Sequence, residues 1–131
     1  QMGLPDMKLP IQYALGYPER LLSDYPRFDF IKYPQLTFEA PDKTTFKNLQ
    51  FAFDALHKGG NMACLLNAAN EIAVDAFLKD EIGFLHIADV VEHTMHQGFF
   101  IAQPNLDDYI ASDTEARQIA RHWVNKINVQ A

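Results

Sequence analysis

Three polar side chains interrupt the most apolar helix-forming stretch of the chain: Asn67, Asn70 and Glu71, inside Leu65–Leu78. Positions three and four apart are neighbours on a helix, so two amides and a carboxylate gather into one cluster. Such a cluster can bind a ligand or move a proton, or it can act as a polar clamp that bonds the backbone of an irregular N-terminal segment. Burying one of these amides without a partner would cost about 1–3 kcal/mol, so partners are required either way. The clamp is the expected role. A second set, His86, Asp89, His93 and His96, recurs at i, i+3, i+7 and i+10, and His93 with His96 has a spacing that could chelate a transition metal. This face lies opposite Ile87, Val90 and Val91, which makes a solvated role the simpler expectation. His57 and His122 stand singly among charged positions. Cys64 reads as a small buried hydrophobe, with no basic neighbour in sequence to favour its thiolate. The chain has no glycine-rich phosphate loop and no Ser/His/Asp or Cys/His set with a local signature, so these residues alone complete no active site.

The elements that would position these groups follow from periodicity. Met62, Leu65, Leu66, Ala69, Ile72, Ala73, Ala76 and Phe77 share one face of a helix, with Asn61 as its N-cap and Ala63, Val74 and Leu78 continuing the apolar surface. A preceding helix is expected from about Phe46 to Lys58, with Leu49, Ala52, Phe53 and Leu56 inward and Gly59 as a left-handed cap. A following helix runs to about Gln97, with Ile87, Val90, Val91, Thr94 and Met95 inward. After a loop from Phe99, Asn105 and Asp107 favour a short turn of helix to Ala111. Ser112-Asp113-Thr114-Glu115 then reads as a capping box for a last helix burying Ala116, Ile119, Ala120, Trp123 and Ile127. Short connections favour antiparallel neighbours.

The predicted fold class is therefore mainly α: a four-helix bundle-like domain over 42–131, preceded by an irregular arm over 1–41. That arm holds six of the seven prolines and many aromatic residues, among them Tyr13, Tyr17, Tyr25, Phe28, Phe30, Tyr33 and Phe38. Prolines forbid long helices and central strands, while aromatics seek burial, so the arm should lie along another surface. One short helix is expected at about 6–17, capped by Asp6, and one short strand at about 36–39, where Leu36-Thr37-Phe38-Glu39 alternates.

Bulk properties narrow the class. With 131 residues, 48% apolar and 21% charged, the chain can bury a core. Its net charge of −6, without a Lys/Arg run, argues against nucleic acid as a partner. A single cysteine excludes an internal disulfide and fits a reducing cytoplasm, and no apolar run approaches the roughly 18 residues of a membrane helix. Gln1, ahead of a Gly-Leu-Pro-Asp turn, suggests a portion of something longer.

Two stretches carry a resemblance: Gln1-Met2-Gly3-Leu4-Pro5-Asp6-Met7-Lys8-Leu9-Pro10-Ile11, continuing to Arg20, and Leu66-Asn67-Ala68-Ala69-Asn70-Glu71 with Ala76-Phe77-Leu78. Both resemble the C-terminal third of the 1-deoxy-D-xylulose 5-phosphate reductoisomerase family, and Leu36–Asp42 resembles its strand and turn before the C-terminal helices. The last thirty or so residues match only loosely. The resemblance implies an NADPH-dependent oxidoreductase and isomerase of non-mevalonate isoprenoid biosynthesis, forming 2-C-methyl-D-erythritol 4-phosphate. It implies a divalent metal (Mg or Mn) for the skeletal step, then hydride transfer to the aldehyde, and a homodimer when full length. It also implies that the nucleotide-binding domain, metal carboxylates, phosphate-binding set and flap precede this chain. These missing domains would be its partners, the chain itself holding no catalytic residue, no metal and no bound cofactor. Pro5 and Met7 would line the substrate and nicotinamide pocket, while Asn67, Asn70 and Glu71 would hold the helices against the catalytic body. A rival reading is a self-standing helical interaction module whose aromatic arm grips a partner protein.

Overall fold

The computed structural model describes residues 3–128. They form five helices: α1 (Lys8–Gly16), α2 (Lys47–Lys58), α3 (Met62–Leu78), α4 (His86–Gln97) and α5 (Leu106–Asn128). No strand occurs among the described residues. The chain divides into two compact units, Gln1–Ala40 and Pro41–Ala131.

In the first unit, Asp6 accepts a hydrogen bond from the Lys8 amide at 2.9 Å, which satisfies one of the free donors at the start of α1. Pro10 sits in the first turn, where its missing N–H costs nothing. The helix stops at Gly16, before Tyr17-Pro18. Local side-chain turns organise the rest: Asp29 Oδ1 accepts from the amides of Ile31 and Lys32. Phe28 packs against Phe30 and Tyr33 at 5.1 and 5.5 Å between ring centroids. The strand expected at 36–39 is absent, and Leu36 and Phe38 are exposed. Alternation alone cannot make a strand, because the backbone there has no neighbouring ladder to pair with.

The second unit is built around α3, which packs against α2, α4 and α5. Leu65, Ala68, Ala69, Ala73 and Ala76 of α3 form a core with Val90 and Val91 of α4 and Ala116, Ala120 and Val124 of α5. So many alanines on α3 and α5 let these two helices approach closely, and each buried methyl removes apolar area from water at roughly 25 cal/mol per Å². The inner face of α4 is the expected one: Ile87, Val90, Val91, Thr94 and Met95 are all buried, and the Thr94 hydroxyl donates to the Val90 carbonyl.

Two helices differ from their sequence-based expectation. α2 presents Ala55 and half-buried Phe51 to the core, while Leu49 and Leu56 are exposed. An apolar stripe wide enough for two rotations was resolved by packing, not by pattern. α5 is also one continuous helix from Leu106, not a turn followed by a second helix starting at Ser112. Its cap is the pair Asn105 and Asp108. The Asp108 amide donates to Asn105 Oδ1 and the Asn105 amide to Asp108 Oδ2, at 3.0 and 2.9 Å.

Gly59 and Gly60, at φ of 68° and 56°, turn α2 into α3. Gly59 has ψ of −148°, outside the left-handed helical cap that was expected. A Cβ on Gly60 would run into the Ile101 carbonyl oxygen, so the loop after α4 passes directly over this turn.

Candidate functional site

The polar side of α3 becomes a ladder that reaches α5. Asn67 Nδ2 donates to Glu71 Oε1 at 3.1 Å, and Glu71 Oε2 pairs with Arg117 Nη2 at 2.6 Å. Arg117 Nε in turn donates to Asp113 Oδ2 at 2.8 Å, one turn back on its own helix. Two carboxylates thus share one guanidinium, whose planar fork offers separate donors to each. The hydrogen bond from Arg117, then that from Asn67, holds the Glu71 carboxyl below its usual range. Asp113 and then Glu71 raise the Arg117 pKa in return. A carboxylate so engaged is a poor proton acceptor near neutral pH, so this geometry favours holding over proton transfer.

Of the three residues singled out in sequence, the structure brings Asn67 and Glu71 together. Asn70 is half-buried and makes no side-chain hydrogen bond among the described residues. Arg117 was missed, although Asp113 four residues before it was a readable signal for a helical ion pair. Cys64 lies beside this ladder, half-buried with its Sγ 3.6 Å from the Tyr109 carbonyl oxygen. Burial, then Asp113, pushes its thiol pKa up, which disfavours the thiolate.

Asn61, expected as a side-chain cap, has a different role. It is fully buried, and its side chain does not cap α3. Its Nδ2 donates to the Phe99 carbonyl at 2.9 Å and to Ser112 Oγ at 2.8 Å, while its Oδ1 accepts from the Ile101 amide at 2.9 Å. One amide therefore ties the start of α3 to the 99–101 loop and to the second turn of α5. Ser112, expected as a helix start, is instead its buried partner.

The histidine face of α4 does not converge on a metal. Among the described residues no three His, Cys, Asp or Glu side chains come together at ligand spacing. His93 lies against α5, its ring stacked on Trp123, and His96 is exposed. His86 accepts a hydrogen bond from the Gly83 amide at 3.2 Å through Nδ1. His57 is exposed and near the Phe53 ring, and His122 is exposed on α5.

In the first unit, Pro5 lines a groove of about 800 Å³ with Asp6, Arg20, Tyr25, Arg27 and Phe28. Met7 is exposed and is not part of that lining.

Four packed helices joined by short loops, with a polar ladder along one seam, place the second unit in the class of all-α bundle domains. A family model described as the DXP reductoisomerase C-terminal domain matches residues 2–119, and the chain belongs to that family. The 1-deoxy-D-xylulose 5-phosphate reductoisomerase of Bacteroides fragilis is 55% identical over 126 residues, spanning 96% of this chain and 32% of that protein. That of Porphyromonas gingivalis is 48% identical over the same length. Among solved structures, the Zymomonas mobilis enzyme in complex with NADPH matches with a TM-score of 0.84 and 43% identity, over 95% of this chain and 33% of that one. A DOX-P reductoisomerase in complex with NADPH, fosmidomycin and magnesium matches with a TM-score of 0.84 and 36% identity, over 95% and 33% respectively. The chain thus spans about a third of the length of the relatives it matches.

Proposed function

We propose that this chain is the C-terminal portion of an NADPH-dependent reductoisomerase that converts 1-deoxy-D-xylulose 5-phosphate to 2-C-methyl-D-erythritol 4-phosphate. The observation that carries the proposal is 55% identity to such an enzyme across nearly the whole chain but only a third of the relative. In this reading the helical unit supports a catalytic body supplied by the remaining length, and the assembled enzyme is a cytoplasmic homodimer. The residues present do not fit the other groups of the reaction. They offer no three-ligand metal set among the described residues and no glycine-rich phosphate cradle. Their own roles are to shape and to hold. Pro5 and Met7 line the substrate and nicotinamide pocket of the assembled enzyme, with no part in proton transfer. Asn67, Asn70 and Glu71 form the seam against the catalytic body, a reading supported by Asn70, whose half-buried amide has no side-chain hydrogen bond among the described residues.

The test is complementation. This chain, coexpressed with the Bacteroides fragilis relative lacking its own matching third, should restore NADPH oxidation on 1-deoxy-D-xylulose 5-phosphate with magnesium, while the chain alone gives no turnover. Failure of the pair in a soluble complex would overturn the assignment. A micromolar NADPH isotherm on the chain alone would overturn its supporting role. In the same assay Asn70→Ala should weaken the complex several-fold without changing the helical melting of the chain; an unchanged complex removes Asn70 from the seam.

A further inference from the structure

Trp123 is the single tryptophan of the chain, and its ring is held from two sides. The His93 imidazole stacks on it at 3.7 Å between centroids, with the planes 11° apart. The Lys126 ammonium sits 4.6 Å from the centroid of the same ring. The indole Nε1–H is buried and has no acceptor among the described residues, so ring contacts rather than a hydrogen bond fix this side chain. Beside the stack runs a groove of about 630 Å³ between α4 and α5, lined by His86, Asp89, Glu92, His93, His96 and Trp123 among others.

We infer that the His93–Trp123 stack is a proton-operated latch across the α4–α5 seam, closed by neutral imidazole and released by imidazolium so that the groove opens. Burial of His93 and then the charges around it set the direction. From α5, His122 and Lys126 act on it, and along α4 His96 does; His86, Asp89 and Glu92 line the same groove, where Lys47 of α2 already engages Glu92 at 3.4 Å. Burial first, then Lys126, His122 and His96, pushes the His93 pKa down. A cation would ordinarily be welcome on an indole face, but this indole already carries Lys126. An imidazolium leaving the ring meets Asp89 and Glu92 on its own helix, which gives the released state a place to settle. Because the folded-state pKa is depressed, the stacking contribution is complete above the ordinary histidine value of about 6.5 and is lost as pH falls through the lower folded value.

The test reads Trp123 emission of the 131-residue chain from pH 8 to 5, with far-UV circular dichroism alongside. A reversible emission change is expected, with a midpoint below about 6.5 and constant helicity. His93→Gln should abolish it, and His122→Gln should move the midpoint upward. Titration of the His93 Cε1–H by NMR in the unaltered chain gives the same midpoint without any variant. Flat emission, a transition that survives His93→Gln, an imidazole titrating at or above its ordinary value, or emission that merely tracks loss of helix would each overturn the latch.

Discussion

In Pro41–Ala131, Leu65, Ala68, Ala69 and Ala73 are wholly enclosed, whereas in Gln1–Ala40 Leu22 is 95% and Ile31 91% exposed. Both stretches are rich in apolar side chains, so apolar content does not separate them. Layers do. Four helices give each other faces to cover, while one nine-residue helix and a run of turns cannot enclose anything, and none of the residues of α1 is buried. Aromatic rings in the first unit therefore find one another, as Phe28 does with Phe30 and Tyr33.

This contrast can be broken most forcefully at Leu65. Leu65→Ala should remove about 2–5 kcal/mol from the unfolding free energy measured by urea denaturation, since this fully buried side chain sits in the core of the bundle. A loss below about 1 kcal/mol would mean the core is far looser than its burial implies. Next comes Asn61→Ala, expected to cost about 1–3 kcal/mol by stranding the Ile101 amide and the Ser112 hydroxyl. Near-neutrality there would show that water replaces the amide. Opening the ladder with Arg117→Gln should have a smaller effect, recognisable by its conditions more than its size. It should fade at high salt and at low pH, because the Glu71 pKa is depressed in the folded chain. The stabilisation is present above the ordinary carboxylate range and is lost as pH falls through the lower folded value. An effect equal at pH 7 and pH 3 would assign it to packing of the Arg117 stem. Smallest of all, Leu22→Ser and Ile31→Ser should shift stability by less than about 0.5 kcal/mol while reducing binding of a hydrophobic dye. A cooperative loss of structure on either change would place these side chains in a core and erase the contrast between the units.

Much of the second unit was legible because the signals were periodic and local. α4 presents the five inward residues its spacing announces, and α3 is the hub that its long apolar run foretells. What escaped was settled by competition between equal local options. Two start signals, Asn105–Asp108 and Ser112–Glu115, lie close together in sequence near the start of α5. The one at Asn105 prevails because Pro104 blocks any earlier helix and because Ser112 is needed inside, bonded to Asn61. α2 offered two apolar rotations, and contact with α3 chose Phe51 and Ala55. The polar cluster was found by its neighbours on one helix, but its partner Arg117 lies 46 residues away, beyond the reach of any window. The histidine stack was hidden for the same reason, since nothing in α4 says that an indole will cover His93.

The Asn61 amide has a temporal consequence as well. By accepting from the Ile101 amide across a separation of 40 residues, it gives a loop proton the shelter normally found inside a helix. That proton can exchange with solvent only when the start of α3, the loop and the first turns of α5 let go together. The loop joining α4 to α5 should therefore keep time with the slowest opening of the bundle, not with the fast fraying of a surface connection.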